Sequence, residues 1–240
     1  MTQQCTKPEG MLLVNKAAGT TSFRLVTLLR RRLGVQKIGH AGTLDPFATG
    51  VMVMLIGRRY TRLSQHFLQQ DKEYVARIKL GITTDTYDCD GSIIEESAVI
   101  PTTNALKEAS SHFQGTISQI PPMFSAKKVN GKKLYELARK GQEVERKPVE
   151  VVIKTDIVDY AYPFLDIKVN CSKGTYIRSI AHDMGILLGC GGHLTTLQRT
   201  RSGPYQLEEC VDGALLEDPA FDVTSQLRQL SNATMSLANG

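Results

Sequence analysis

The sequence predicts an α+β chain with a largely antiparallel sheet. Apolar stretches of strand length and helical stretches are mixed without the strict strand–helix–strand alternation of a doubly wound fold. Tyr74, Ala76, Ile78 and Leu80 alternate with Val75, Arg77 and Lys79, the period of a half-exposed strand. Residues 149–158 and 164–171 read as two strands joined by Asp159-Tyr160-Ala161-Tyr162-Pro163.

The other elements follow in order. Residues 11–14 read as a short strand. Thr20-Thr21-Ser22 offers N-cap oxygens to a helix over 22–33, with Phe23, Val26, Leu29 and Leu33 on one face and Gly34 as its stop. The Arg30-Arg31-Arg32 end suits the helix dipole and a solvated face. The continuous apolar run 51–56 reads as a strand buried on both faces. A helix over 103–113 is bounded by Gly115, a helix over 176–188 has Thr175 as its N-cap, and residues 193–199 form another strand. Gly189, Gly191 and Gly192 mark a turn between these last two, not a linker. With no repeat or low-complexity segment, a single domain over 1–240 is expected.

Composition narrows the class. Hydrophobic residues at 41% and charged ones at 22% are those of an ordinary globular protein. No apolar run approaches bilayer-spanning length, and the first residues lack the apolar core of a signal peptide. Five cysteines, scattered at 5, 89, 171, 190 and 210, do not suggest a disulfide framework, so a cytoplasmic location is expected. Six acidic residues against Arg228 leave 207–240 at −5, and the preceding residues carry +10. A basic body of this kind points to a polyanionic partner, most simply nucleic acid.

The run from Lys37 to Gly50 mounts one carboxylate, Asp45, in a glycine-rich loop ahead of an apolar strand. Gly39, Gly42 and Gly50 permit tight turns, and Pro46 fixes its own φ while biasing Asp45 towards extended backbone. An isolated Asp-Pro more often starts a turn than carries chemistry. The full string, Gly39-His40-Ala41-Gly42-Thr43-Leu44-Asp45-Pro46-Phe47-Ala48-Thr49-Gly50, resembles the signature of the TruB-type tRNA pseudouridine synthases. The resemblance recurs in the family's order. It is carried by Gly10-Met11-Leu12-Leu13-Val14-Asn15-Lys16, Lys72-Glu73-Tyr74, Thr84-Asp85-Thr86 and Gln119-Ile120-Pro121-Pro122-Met123-Phe124-Ser125-Ala126. Val129-Asn130-Gly131-Lys132-Lys133-Leu134-Tyr135-Glu136, Cys171-Ser172-Lys173-Gly174-Thr175-Tyr176-Ile177-Arg178 and Gly191-Gly192-His193-Leu194 extend it.

That resemblance implies the pseudouridine synthase fold, a mixed and largely antiparallel sheet flanked by helices, with a basic thumb insertion at 121–150. It implies an isomerase that converts uridine to pseudouridine in the T loop of tRNA, at position 55. The N1–C1′ bond breaks, the base turns, and C5 joins C1′. Such a reaction needs no cofactor or metal, and no Walker loop, GxGxxG after a strand or paired CxxC is present.

By the same resemblance Asp45 is the catalytic carboxylate, as nucleophile or base, and Arg178 is the cation that keeps it ionised. Tyr74 would stack under the flipped base and assist proton transfer. His40 would occupy the space the base vacates, and Tyr176 and Leu197 would line the pocket. Lys16 would either touch RNA phosphate or hold the Gly39–Asp45 loop. Asp85 would either bind a flipped nucleotide or cap a turn.

The sequence departs from the family in three places. Asn15-Lys16-Ala17 stands where the family has Asp-Lys-Pro, and Phe124 stands where it has tyrosine. Residues 206–240 form a short acidic tail unlike the PUA domain of many relatives. The expected form is therefore a stand-alone monomer acting on the tRNA T stem-loop, with no membrane, guide RNA or protein partner. A non-catalytic RNA chaperone would not need Asp45 and Arg178, and a metallohydrolase would need more ligands than Cys190, His193, His182 and Asp183 offer.

Overall fold

Strand and helix boundaries follow the sequence's own punctuation. The structure, a computed structural model, describes residues 7–129, 131–231 and 234–235. It comprises two compact units: one runs to Lys72 and resumes at Gln198, and the other is Glu73–Leu197.

In the first unit, β1 (Gly10–Lys16) leads to α1 (Ser22–Leu33), β2 (Ile38–His40), β3 (Thr49–Ile56) and two short helices, α2 (Arg58–Thr61) and α3 (Ser64–Leu68). β3 is buried on both faces, as its unbroken apolar run requires, and pairs antiparallel with β1 and β2. Met11, Leu13, Val51, Val53, Leu55, Tyr60, Leu63 and Phe67 form its core.

Thr21 caps α1 by accepting the Arg24 N–H, and Gly34 ends it in the left-handed conformation. The buried face differs from expectation. Leu25, Val26, Leu28 and Leu29 point inward, whereas Phe23 is 66% exposed and Leu33 is only half-buried. Ser22 sets that rotation: its hydroxyl is bonded to Leu44, so positions three, four and seven residues on must share its inward face.

The second unit begins at Glu73 within β4 (Lys72–Leu80), which keeps the expected alternation of burial. β5 (Ile82–Thr84) and β6 (Ile93–Glu96) form a separate hairpin, followed by α4 (Thr103–Ser111) and β7 (Gln114–Gln119). The thumb region holds a small hairpin, β8 (Lys128–Val129) with β9 (Lys132–Lys133), and α5 (Leu134–Ala138). Asn130, part of the expected turn there, lies outside the described residues, as does Cys5. β10 (Val149–Ala161) pairs antiparallel with β11 (Phe164–Cys171) and with β7. α6 (Ile177–Leu187) and β12 (Gly192–Ser202) follow. Thr175 does not cap α6; its hydroxyl donates to the Ser172 carbonyl instead, and Tyr176 holds the N-cap position.

From Gln198 onward the chain belongs to the first unit. There β12 pairs parallel with β3, β13 (Tyr205–Gln206) folds back on β12, and β14 (Val211–Asp212) pairs parallel with β1. The acidic segment is folded, with Leu216 and Val223 buried and Arg228 exchanging backbone bonds with Met11. Arg32 donates to the carbonyls of Leu216, Asp218, Pro219 and Phe221, so this arginine is a clamp beyond any dipole role.

Gly185 offers a test of this packing. A Cβ on it would lie 2.3 Å from the Gly191 carbonyl carbon and the Gly192 nitrogen, both backbone atoms. Helix propensity alone favours Gly185→Ala by about 1 kcal/mol. The clash should reverse that sign, giving a net loss of about 1–3 kcal/mol in urea denaturation. A stabilised variant would contradict this packing.

Candidate active site

Asp45 lies half-buried in the loop between β2 and β3, and both of its chain neighbours are tied down. Ser22 Oγ accepts the Leu44 N–H and donates to the Leu44 carbonyl, each at 3.1 Å. The Pro46 carbonyl accepts from the Gly19 N–H at 2.9 Å and from Lys16 Nζ at 3.1 Å. The Ala48 N–H closes the turn onto the Asp45 carbonyl at 3.1 Å. The backbone carrying this carboxylate is therefore positioned by its own surroundings.

Lys16 is 0% exposed. Besides Pro46 it donates to the carbonyls of Ala17 at 3.0 Å and Thr20 at 2.7 Å, matching the three hydrogens of an ammonium. Burial brings its pKa down to about 8; the Asp45 carboxylate pulls the other way and the Arg199 charge adds to the lowering. Of the two roles open to Lys16, this burial and these partners fit holding the loop.

Arg199 was not singled out by sequence reasoning. It is 1% exposed and donates through Nε to the Val51 carbonyl at 2.7 Å and through Nη2 to the Gly42 carbonyl at 3.2 Å. A signal did exist: on β12 it falls in phase with Leu197, the buried parity of the strand. Gly50 packs against its backbone. With φ at 105° and a would-be Cβ 2.2 Å from the Arg199 carbonyl oxygen, only glycine fits there. His40, on β2, has a buried Nδ1 with no hydrogen-bond partner. Burial, then the Arg199 charge, lowers its pKa, so the ring is neutral at pH 7.

The second unit holds the remaining residues, with Tyr176 and Arg178 at the start of α6. Gln119, at the end of β7, clamps Tyr176 from both sides: its Oε1 accepts the Tyr176 N–H at 2.8 Å and its Nε2 donates to the Tyr176 carbonyl at 3.0 Å. Ser179 Oγ donates to the Ile120 carbonyl at 2.9 Å. Arg178 is 4% exposed. Its Nη1 donates to the Thr86 carbonyl at 3.1 Å, its Nη2 to the Phe124 carbonyl at 2.8 Å, and its Nε lies 3.5 Å from the Asp88 carboxylate.

Asp88, 5% exposed, is the acidic residue of this loop that meets Arg178 and the one the motif reading passed over. Asp85 is exposed, and its Oδ1 accepts the Ser92 N–H at 2.8 Å, a turn-capping contact. Tyr74 is 8% exposed on the inward parity of β4, and Leu197 is 6% exposed on β12. His193 Nδ1 is engaged with the Ile82 carbonyl at 2.9 Å, and among the described residues no three His, Cys, Asp or Glu side chains gather as a metal site.

Lys16 carries a signed pH expectation. Its pKa is about 8 in the fold and 10.5 as a free side chain, so the unfolded chain binds this proton more readily. The stability contributed by this group should rise with pH between those two values. Turnover should fall over the same range, because the ammonium that holds Pro46 loses its charge. Both dependences should vanish in Lys16→Met when urea stability and rate are measured side by side. A wild-type rate unchanged through pH 8–9 would remove the clamp from the mechanism.

Comparison with known proteins gives the chain's relatives. A family model described as "TruB family pseudouridylate synthase (N terminal domain)" matches residues 30–177, and one described as "tRNA pseudouridylate synthase B C-terminal domain" matches 178–232. A tRNA pseudouridine synthase B of Protochlamydia amoebophila is 64% identical over 86% of this chain and 79% of its own length. One from Chlamydia abortus is 59% identical over 93% of this chain and 95% of its own. Among solved structures, a Cbf5-Nop10-Gar1 complex aligns with a TM-score of 0.67 and 26% identity over 90% of this chain, which spans 58% of the chain it matches. The archaeal box H/ACA sRNP Nop10-Cbf5 complex aligns at 0.63 with 28% identity, and this chain spans 54% of that one. The chain belongs to the TruB family of pseudouridylate synthases.

Proposed function

We propose that this chain converts uridine to pseudouridine in tRNA, at the T-loop uridine, with Asp45 as the reactive carboxylate. The observation that carries the proposal is the loop in which Leu44 and Pro46 are both anchored on either side of that one acid. The family membership and relatives named tRNA pseudouridine synthase B, at 56–64% identity, support the reaction and the RNA class.

The reaction is an isomerisation. The N1–C1′ bond breaks, the base turns within the site, C5 bonds to C1′, and the proton on C5 leaves as N1 gains one. Asp45 serves as nucleophile or base beside the sugar. Arg178, fixed by Thr86, Phe124 and Asp88, supplies the cation that opposes the desolvation of a reactive carboxylate. Tyr74 stacks on the extruded base, offsetting part of a flipping cost of a few kcal/mol. Neutral His40 takes the place of that base in the RNA, while Tyr176 and Leu197 line the pocket. Asp85, with Oδ1 engaged, contributes its other oxygen to a neighbouring nucleotide.

The enzyme works on free tRNA as a cytoplasmic monomer, without a guide RNA. No described helix is long and apolar enough to cross a membrane.

Tritium release from 5-tritiated uridine in a naked T-arm RNA tests the proposal. Wild-type protein should release the label, with the product mapped to the T-loop uridine. Asp45→Asn should slow release by at least about 100-fold. Arg178→Ala should abolish turnover while RNA affinity falls far less; equal losses would make it an RNA contact instead. Release that requires an added guide RNA would overturn the stand-alone reading.

A further inference from the structure

Among the described non-glycine residues, Tyr87 alone has a positive φ, 66°. For a residue with a Cβ this conformation is disfavoured. Its backbone is nevertheless held on both sides: the Tyr87 N–H donates to the Thr84 carbonyl at 3.2 Å, and the Tyr87 carbonyl accepts the Leu194 N–H at 3.1 Å. Its ring lies flat against His182, with centroids 3.8 Å apart and planes 9° from parallel.

His182 is four residues after Arg178 on α6, one turn along the same face. Arg178 binds the residues on either side of Tyr87, the Thr86 carbonyl and the Asp88 carboxylate. Three consecutive residues of the loop are therefore held by one face of one helix, two by the guanidinium and the middle one by the imidazole. Thr86 Oγ1 and the Asp90 N–H both bond Asp88 Oδ1, which ties the acid's orientation to the same loop. A loop free to relax at Tyr87 would carry both of its Arg178 acceptors with it.

We propose that the Tyr87–His182 stack is a positioning pair that keeps residues 86–88 in the one conformation that orients Arg178. The pair acts through Arg178 rather than on the reacting atoms. The inference rests on the role proposed above for Arg178. Ring contact is what the pair requires, so an aromatic ring of either kind should serve at each position.

Single-turnover tritium release from T-arm RNA, RNA affinity and thermal stability, measured on the full chain, test this. Tyr87→Asn tolerates a positive φ but removes the ring, and His182→Ala leaves the loop sequence untouched. Each should slow the step by about tenfold, with affinity within about twofold of wild type. Tyr87→Phe and His182→Phe should stay within about threefold in rate. The Tyr87→Asn/His182→Ala double variant should be no slower than the slower single, because one contact is lost in all three.

Unchanged rates in both ring-deleting variants would overturn the pair, as would multiplicative losses in the double. A loss confined to affinity would overturn it in favour of a base-stacking contact. Should Tyr87→Asn fail to fold, His182→Ala alone decides. Wild-type protein that released no tritium would refute the reaction itself, a separate result from any of these.

Discussion

A buried ammonium holds the loop on which the proposed chemistry depends. Lys16 is fully buried, so its three carbonyl partners, on Ala17, Thr20 and Pro46, are what make its charge tolerable. The same bonds join the end of β1, the start of α1 and the residue after Asp45. Ser22 completes the arrangement from the other side by bonding both backbone groups of Leu44. A carboxylate mounted this way needs little reorganisation when RNA arrives, which is what electrostatic preorganisation requires of a catalytic group. Arg199 lies behind the same loop through Gly42 and Val51, and its charge helps keep His40 neutral.

The second unit applies the same logic to Arg178. Buried arginine is costly unless its donors are met. Here two carbonyls and one carboxylate meet three of them, and Gln119 fixes the turn of chain immediately before it. One of those carbonyls belongs to Phe124, at the entrance to the thumb region. The site that grips the guanidinium is thus built from the loop after β5, the first residues of the thumb region and the first turn of α6. Each belongs to a different part of the sequence.

Much of this was legible in the sequence because punctuation and periodicity are local. The strand at 51–56, the capped helix over 22–33 and the pair at 149–158 and 164–171 were readable from apolar runs, an N-cap and a stop glycine. What failed was whatever depended on a partner distant in the chain. Phe23 was placed inward on apolarity, but Ser22 must face Leu44 and so turns Phe23 to solvent. Arg32 read as a dipole-compensating cation until the carbonyls of residues 216–221, nearly two hundred positions away, came to meet it. Asp88 lies beyond the Thr84-Asp85-Thr86 motif and gave no signal of its own, yet it meets Arg178, a contact that loop geometry rather than composition decides. The motifs singled out candidate residues; their hydrogen-bond partners came only with the fold.

The central claim is that the Asp45 loop is rigid before RNA binds. Amide hydrogen exchange at Leu44 and Ala48 in the RNA-free protein measures it directly, since these N–H groups bond to Ser22 Oγ and to the Asp45 carbonyl. Both amides should exchange far more slowly than an unstructured chain, and the protection at Leu44 should collapse in Ser22→Ala. Exchange at the unprotected rate in the free enzyme, with protection gained only on adding T-arm RNA, would mean that substrate builds the loop and the account is wrong.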